Sequence, residues 1–417
     1  MPERVVSSDV VCPFCALACD DLGIEARGRA LRVTAKGCER AKAAFARSTA
    51  EPEPAIDGRP CSRGEALDRA ADLLAASRLP LFAGLATDTA GMRAVMALAE
   101  ATGGILDHAQ APGLFANLLA MQSVGWFTAT LAEARNRPDF VLLVGGDGSE
   151  AAPRLHERVL RPPRSLRGEG APRRIVQLGG APGTGAGIEH VPCPADRLLE
   201  AVGALRGLLA GARLPKAAHA LLPEGALDGL ASALREADYA LVVWAAGAIG
   251  MPHRELLAEH LAELLKDLNA RGRAAGLPLA GPGNVIGTNQ VCAWQSGVPL
   301  RTGFAGGVPD YQPHRFATDS LLAAGSVDTL VWISGFTPAP APAADLPRIL
   351  VTTPLDAVPA QGVYLPVGTP GLDHEGSVYR TDSVVAMPVR ALRPSRLPAV
   401  AEVLEHLKAR LDAPTRT

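Results

Sequence analysis

The sequence predicts an α/β fold in which a small cysteine-rich N-terminal module precedes doubly wound parallel-sheet domains. Short apolar runs that end in glycine, such as residues 139–146, alternate with segments whose apolar residues recur at helical spacing, such as residues 63–78. Continuous apolar strands are typical of parallel sheets that helices cover on both faces. Four of the seven cysteines lie within the first 50 residues, which indicates the separate N-terminal module.

The length of the chain bounds the number of domains. At about 150 residues per domain, 417 residues are enough for two or three globular domains. Residues 51–60 are rich in Pro and Gly and indicate a linker, because these residues interrupt helices and sheet ladders. We therefore expect a cysteine-rich module over residues 1–50, an α/β domain over residues 51–215, and a second α/β domain over residues 216–417 whose C-terminal segment returns to the first.

Periodicity and turn residues place the individual elements along the chain. Helices, recognised by apolar residues three and four apart, are expected at residues 63–78, 90–102, 196–211, 225–237, 253–273 and 398–410. Strands, recognised as short apolar runs, are expected at residues 79–84, 139–146, 174–179, 240–244, 277–281, 328–335 and 348–352. Two stretches rich in turn-forming residues, 162–172 and 283–310, are expected to be loops.

The composition excludes several classes of partner and location. Hydrophobic residues make up 48% of the chain and charged residues 20%, which is typical of soluble globular proteins. The 41 basic and 43 acidic residues nearly cancel, so neither nucleic acid nor an anionic membrane is an expected partner. We find no signal peptide and no apolar run of the roughly 18 residues that a membrane helix needs, and we expect a cytoplasmic protein.

Glycine-rich turns follow three of the expected strands, at residues 145–148, 179–180 and 334–335. Ligands of parallel sheets bind beyond the carboxyl ends of the strands, and glycine lets backbone N–H groups approach a phosphate closely. A tight turn from strand to helix uses the same residues and is the more common reason for them. These turns alone therefore identify no ligand.

Four cysteines carry the strongest chemical signal: Cys12, Cys15, Cys19 and Cys38. Three of them are separated by two and three residues, and the fourth follows after a gap of 18 residues. Four thiolates complete the ligand shell of a [4Fe–4S] cluster or of a zinc site, and three close ligands with one distant ligand favour the cluster. A module that no longer holds metal is the remaining alternative.

The sequence predicts no catalytic centre and no cofactor-binding residue beyond these cysteines. The chain contains no pair of histidines four residues apart, no Gly-x-Ser-x-Gly turn and no Walker A motif. The nine histidines are scattered and form no metal-binding pattern.

Several segments together resemble the B subunit of formylmethanofuran dehydrogenase, a member of the molybdopterin oxidoreductase superfamily. The N-terminal stretch VCPFCALACDDLGI, with GCER at residues 37–40, resembles the opening of that subunit. The sequence is also similar to that subunit at residues 118–154, 283–300, 311–336 and 374–382. The resemblance implies an N-terminal Fe–S module, α/β domains that hold a bis-pterin metal cofactor, and reversible reduction of CO2 to the formyl level.

One segment departs from the redox members of this family. In those enzymes a cysteine or selenocysteine, within a motif such as Cys-His-Gly-Pro, binds tungsten or molybdenum. Here the equivalent residues 106–117 read LDHAQAPGLFAN, with no cysteine, and the ligand position falls near Gly113. The nearest polar candidates are Asp107 and His108, which lie several residues earlier.

The missing ligand makes the chain most similar to the B subunit of the bacterial formyltransferase/hydrolase complex, which lacks redox chemistry. The resemblance then implies a structural subunit, with no catalytic site of its own, bound to sister subunits A, C and D. That complex moves a formyl group from tetrahydromethanopterin to a furan carrier and releases formate in one-carbon oxidation, and the tungsten- or molybdenum-pterin would be absent. The alternative is the B subunit of an active W/Mo-pterin formylmethanofuran dehydrogenase, with an unusual metal ligand.

Overall fold

The chain divides into two compact units in a computed structural model that describes residues 4–47 and 49–413. The first unit comprises the described residues up to Ala111 and those from Pro282 onward, and the second comprises Pro112–Gly281. This division differs from the expected boundaries at residues 50 and 215. The N-terminal module belongs to the first unit, and the chain re-enters that unit at Pro282.

The bounds of the elements are as follows. The strands are β1 Arg4–Val10, β2 Leu22–Arg27, β3 Ala30–Ala35, β4 Ala55–Ile56, β5 Arg59–Pro60, β6 Pro80–Ala86, β7 Ile105–Leu106, β8 Phe140–Val144, β9 Arg164–Ser165, β10 Gly168–Glu169, β11 Arg174–Leu178, β12 Ile188–Val191, β13 Ala240–Trp244, β14 Ala274–Pro278, β15 Thr302–Gly303, β16 Asp310–Tyr311, β17 Thr329–Ser334, β18 Arg348–Thr352, β19 Val363–Pro366, β20 Gly376–Tyr379 and β21 Ala386–Val389. The α-helices are α1 Glu39–Phe45, α2 Arg63–Ala76, α3 Thr89–Thr102, α4 Ala111–Val124, α5 Leu131–Asn136, α6 Leu198–Leu209, α7 Lys216–His219, α8 Ala226–Glu236, α9 Arg254–Asn269, α10 Val285–Ser296, α11 Thr318–Ala323 and α12 Val400–Asp412.

The second unit is built on a five-stranded parallel sheet in the order β12-β11-β8-β13-β14. The chain adds β11 and β12 on one side of β8 and then β13 and β14 on the other side, which is the doubly wound arrangement. Every residue of the central strands β8 and β13 is buried, because side chains from other elements of the unit cover the sheet. The expected mixed α/β class with parallel sheets is confirmed.

The first unit contains a nine-stranded mixed sheet in the order β16-β15-β7-β6-β17-β18-β19-β4-β5. The strands from β7 to β19 are parallel, and the short strands at both edges are antiparallel. Helices α2, α3 and α12 pack together beside this sheet. The N-terminal module adds a separate antiparallel sheet, β1-β2-β3.

Side-chain caps explain where two of these helices begin. The Ser62 hydroxyl accepts a hydrogen bond from the Glu65 backbone N–H at 3.2 Å, and the Glu65 carboxylate accepts one from the Ser62 N–H at 2.8 Å. Thr130 and Glu133 form the same reciprocal cap at the start of α5. Such capping boxes satisfy N–H groups that the first turn of a helix leaves unbonded, so they define the starts of α2 and α5.

Several expected loops contain regular structure. Residues 51–60, the expected linker, form the hairpin β4–β5, which pairs with β19. The expected loop 162–172 contains the hairpin β9–β10, and the expected loop 283–310 contains α10. The buried face of α10 includes glycine and threonine, so apolar periodicity does not reveal the helix. None of the helices in the described residues combines the length and the apolar character needed to cross a membrane.

Candidate functional site

The first three cysteines lie in the loop that joins β1 to β2. The Cys12 N–H donates to the Cys19 carbonyl at 2.8 Å, which closes the two ends of the loop on each other. Within the loop, the N–H of Ala18 donates to the Cys15 carbonyl at 3.1 Å, and Ala18 itself has a left-handed backbone with φ of 44°. All three cysteines are buried, so this loop turns its thiols inward.

The fourth cysteine reaches the same place from the start of α1. Cys38 is the N-cap residue of that helix, and its sulfur accepts a hydrogen bond from the Ala41 N–H at 3.4 Å. Burial raises the pKa of Cys12 well above 9.0, and negative charge on Cys15, Cys19 and Cys38 raises it further. The four cysteines that the sequence singled out therefore lie within electrostatic range of Cys12. All seven cysteines of the chain lie in the described residues and form no disulfide bond.

Arg40 places positive charge beside these thiols, and Arg47 lies over the ring of Phe14. Burial raises the pKa of Cys15, whereas the positive charge of Arg40 lowers it. The guanidinium of Arg47 lies 5.1 Å from the centre of the Phe14 ring, and burial lowers its pKa to about 10. Phe14 in turn packs edge-on against Phe45 of α1. Nearby cations and aromatic cover are the surroundings that stabilise thiolates when a metal replaces their protons.

The chemistry of these four side chains, although not their arrangement in this structure, fits a metal centre. Four thiols are the donor set of a [4Fe–4S] cluster or of structural zinc. In the part of the chain that the structure describes, no group of three or more His, Cys, Asp or Glu side chains is arranged to hold a metal ion. Buried thiols with a raised pKa keep their protons until a metal displaces them, so binding and ordering of the thiols would occur together.

Asp107, one of the polar candidates near the expected metal-ligand position, is engaged in hydrogen bonds within the first unit. One carboxylate oxygen accepts from the Arg301 Nε at 3.2 Å. The other accepts from both the backbone N–H and the hydroxyl of Thr318, each at 2.8 Å. The side chain is buried, so its oxygens serve the fold and are not presented to a ligand.

His108, the other polar candidate, is also held by internal hydrogen bonds. Its Nδ1 accepts from the Gln110 N–H at 2.9 Å, so the ring proton is assigned to Nε2, which donates to the Gly283 carbonyl at 3.1 Å. Complete burial lowers the pKa of His108 to about 4 and keeps the ring neutral at physiological pH. Neither ring nitrogen is left to bind a metal.

Gly113, near which the resemblance places the metal ligand, has no room for a side chain. A Cβ atom built on Gly113 would lie 2.8 Å from the Cα and 2.9 Å from the N of Gly247. Both glycines belong to the second unit, and the obstructing atoms are backbone. A cysteine, serine or aspartate at this position would therefore require the backbone to move. A tungsten or molybdenum atom held by a protein ligand at this position does not fit the chain.

A cavity of about 650 Å³ opens in the second unit at the carboxyl ends of β8, β11 and β13. It lies where strand order reverses about β8, the position at which doubly wound sheets bind ligands. Two of the expected glycine turns line it, and Gly145 and Gly180 there have φ of 78° and 73°. The turns thus have the left-handed backbone that glycine permits, and they also border a cleft.

Asp147 places a negative charge in the wall of this cavity. Burial alone would raise the pKa of its carboxyl, but hydrogen bonds from Ser149, with the charge of His156 and a hydrogen bond from the Thr184 backbone, lower the pKa overall. The Ser149 N–H and hydroxyl donate to the carboxylate at 2.9 and 2.6 Å. An ionised carboxylate repels phosphate, so the glycine turn following β8 does not by itself form a phosphate site.

Comparisons with known proteins agree on one group of relatives. No protein-family model matches the chain. It is 34% identical over 365 residues to the B subunit of the formyltransferase/hydrolase complex Fhc of Methylorubrum extorquens, covering 83% of this chain and 94% of that protein. The B subunit of tungsten-containing formylmethanofuran dehydrogenase 2 is 26% identical in Methanococcus maripaludis, over 98% of this chain and 99% of the relative. The corresponding subunit of Methanocaldococcus jannaschii is 27% identical over 91% and 92%.

A solved structure supports the same relationship. A chain in the crystal structure of the Methylorubrum extorquens complex FhcABCD, determined with methylofuran, superposes on this fold with a TM-score of 0.75. The match has 32% sequence identity and covers 85% of this chain and 98% of that chain.

Proposed function

The chain belongs to the B-subunit family of formyltransferase/hydrolase complexes, and from this premise we propose that it is a non-redox structural subunit of such a complex. The complex transfers a formyl group from tetrahydromethanopterin to a furan-type carrier and releases formate. In this role the chain assembles with sister subunits A, C and D, and the sister subunits catalyse the formyl transfer and the release of formate.

The contact between Gly113 and Gly247 is the main support for the proposal that this subunit has no redox metal. A protein ligand to tungsten or molybdenum needs a side chain at that position, and the backbone leaves no space for one. Asp107 and His108 cannot substitute, because hydrogen bonds within the first unit occupy them. The α/β units are of the molybdopterin oxidoreductase type in this proposal, retained as a scaffold after the redox metal was lost.

The dehydrogenase alternative fits the chain less well. Its relatives cover nearly the whole chain, but their identity is 26% and 27% compared with 34% for the formyltransferase/hydrolase relative. An active dehydrogenase also needs the metal ligand that residues 106–117 do not provide. Both considerations favour the non-redox subunit.

The four thiols form the proposed metal centre, with a [4Fe–4S] cluster as the first candidate and a zinc ion as the second. When bound, either group would supply folding energy. Cys12, Cys15 and Cys19 would anchor the loop between β1 and β2, and Cys38 would tie that loop to α1. Three buried thiols, with Cys38 within electrostatic range and Arg40 nearby, support this assignment. Thiols that form no disulfide fit the reducing cytoplasm, where we propose that the protein acts.

Purification of the native complex tests the proposed function. The tagged chain should co-purify with three other subunits. The preparation should release formate from formyl-tetrahydromethanopterin without an electron acceptor, provided that the furan carrier is present. Elemental analysis should find no stoichiometric tungsten or molybdenum. Stoichiometric tungsten or molybdenum with bound pterin, together with electron-dependent reduction of CO2, would establish the dehydrogenase instead.

A further inference from the structure

A smaller cavity of the second unit, of about 270 Å³, lies where three helices end. Helix α6 ends at Leu209, α8 at Glu236 and α9 at Asn269, and residues at or near these ends line the cavity. Arg273, which directly precedes β14, completes the lining. The cavity is therefore at the amino ends of the strands, on the opposite edge of the sheet from the cavity beside Asp147.

One wall of this cavity is apolar. It is formed by Leu209, Leu234 and Leu268, each of which is 8% exposed or less. The three leucines come from different helices, and α6 packs against both α8 and α9. Packing of the helices therefore fixes the wall in place. An apolar group that enters the cavity leaves water for contact with these side chains, which is favourable.

The rest of the lining is basic. Three exposed arginines, Arg235, Arg271 and Arg273, line the cavity with a single carboxylate, that of Asp267. Asp267 already accepts a hydrogen bond from the Nε of a fourth arginine, Arg206, at 2.8 Å. The lining thus carries three positive charges and one negative charge, and Arg206 compensates the negative one. Such a concentration of positive charge attracts anions.

Arginines near the ends of helices also have a simpler explanation, because cations there interact favourably with the last carbonyl groups. This explanation accounts for Arg235, whose guanidinium donates to the Leu208 carbonyl in the last turn of α6. It does not account for the other two. The guanidinium groups of Arg271 and Arg273 form no ion pair and no hydrogen bond with the residues that the structure describes. Their charges lie beside the apolar wall without a counter-charge of their own.

We propose that this cavity binds a small organic carboxylate. The apolar body of the ligand lies against the three leucines, and its carboxylate accepts hydrogen bonds from Arg271 and Arg273. Guanidinium–carboxylate bonds are charge-assisted and are among the strongest hydrogen bonds in proteins. The ligand is small, because the cavity volume is slightly below the range of about 300–1,000 Å³ that is typical of ligand pockets. This site is independent of the proposed formyl-transfer complex, so the failure of either proposal leaves the other unchanged.

Titration of the purified full-length chain with hexanoate tests the site, with hexanol as the uncharged probe of the same length. Hexanoate should bind at one site per chain, and hexanol at least tenfold more weakly, because hexanol cannot form the charge-assisted bonds. Saturation-transfer NMR reports which end of hexanoate contacts the protein. Its methyl group should receive more saturation than the CH₂ beside the carboxylate, since the methyl end lies against the leucines.

Arg271→Gln and Arg273→Gln should each weaken the binding of hexanoate about tenfold, the loss expected for one charge-assisted hydrogen bond. Arg69→Gln is the matched control and should change the affinity less than twofold. Arg69 is also exposed and lines a cavity, of about 480 Å³ in the first unit, but Asp57 and Asp345 contribute negative charge to that lining. All three substitutions are at exposed side chains, so the variants should fold, and circular dichroism checks this.

Three results would overturn the proposal. The first is no binding of hexanoate at tens of millimolar. The second is wild-type affinity in both Arg271→Gln and Arg273→Gln, which would place the bound hexanoate elsewhere. The third is binding of inorganic phosphate as tight as that of hexanoate, because the arginines would then bind anions without any contribution from the apolar wall.

Discussion

Gly113 and Gly247 approach each other through backbone atoms, so their contact depends on the absence of a side chain at Gly113. Gly113 lies in the first turn of α4, where alanine would normally be preferred over glycine by about 1 kcal/mol. Glycine is required here because the backbone of Gly247 occupies the space of a Cβ. The position near which the resemblance places a metal ligand is therefore closely packed by backbone. A single substitution cannot simply restore the ligand.

Gly113→Ser should lower the free energy of unfolding of the second unit by about 1–3 kcal/mol, because overpacking against backbone displaces the chain. Gly229→Ala is the control. Gly229 lies within α8 and its Cβ would contact nothing within 4 Å, so this change should stabilise the protein by up to about 1 kcal/mol. Urea unfolding of both variants measures the difference. A Gly113→Ser variant as stable as the wild type would show that this position can accept a ligand.

The N-terminal module is the element in which the proposed metal centre would add to packing. Its strand β1 is an edge strand that is mostly exposed, and the loop of Cys12, Cys15 and Cys19 contains few elements of regular structure. The side chains of this loop and of α1 are nonetheless mostly buried, so a metal cross-link would add stability to packing that already exists. The four-thiol centre would provide that cross-link between the loop and α1.

Cys15→Ser should therefore loosen residues 8–45 more than the α/β body if the thiols hold metal. Hydrogen exchange read by mass spectrometry should show faster exchange in that segment alone. Metal analysis should find about four iron atoms per wild-type chain in a brown protein for a [4Fe–4S] cluster, or one zinc in a colourless protein. Cys193→Ser, at a buried cysteine of the second unit, is the control that removes a thiol without touching the module.

A wild-type protein without metal, whose exchange is the same in Cys15→Ser and Cys193→Ser, would contradict the metal centre. It would identify the module as a remnant that folds by packing alone.

At the scale of elements, the sequence predicts seven strands of the two large sheets and six of the long helices, because their signals are local. The helix expected at residues 63–78 is Arg63–Ala76, and the strand expected at residues 240–244 has those bounds. The metal centre that the spacing of the cysteines indicates stays a prediction. Helix α10 and the hairpin β4–β5 could not be predicted, because small and polar residues hide their periodicity. The Gly113–Gly247 contact joins residues far apart in the sequence, and no local pattern encodes it.

The first unit is formed by two segments that the whole second unit separates along the chain. Its sheet joins them, since β6 of the first segment pairs with β17 of the second. Asp107 joins them by side-chain chemistry, because its carboxylate bonds with Arg301 and Thr318 from the second segment. Burial of that ion pair means that its two members depend on each other more than a surface pair does.

Asp107→Asn should destabilise the first unit by about 3–5 kcal/mol, because it leaves the buried Arg301 guanidinium without its counter-charge. Asp68→Asn is the matched control in the same unit. Asp68 pairs with Arg410 at 2.6 Å on the surface, and a surface pair contributes about 1 kcal/mol or less. Hydrogen exchange in increasing urea should show that Asp107→Asn lowers the unfolding midpoint of peptides from the first unit more than that of peptides from the second. If the unfolding midpoint falls equally for peptides of both units, the two units unfold as one cooperative structure and are not separate units of stability.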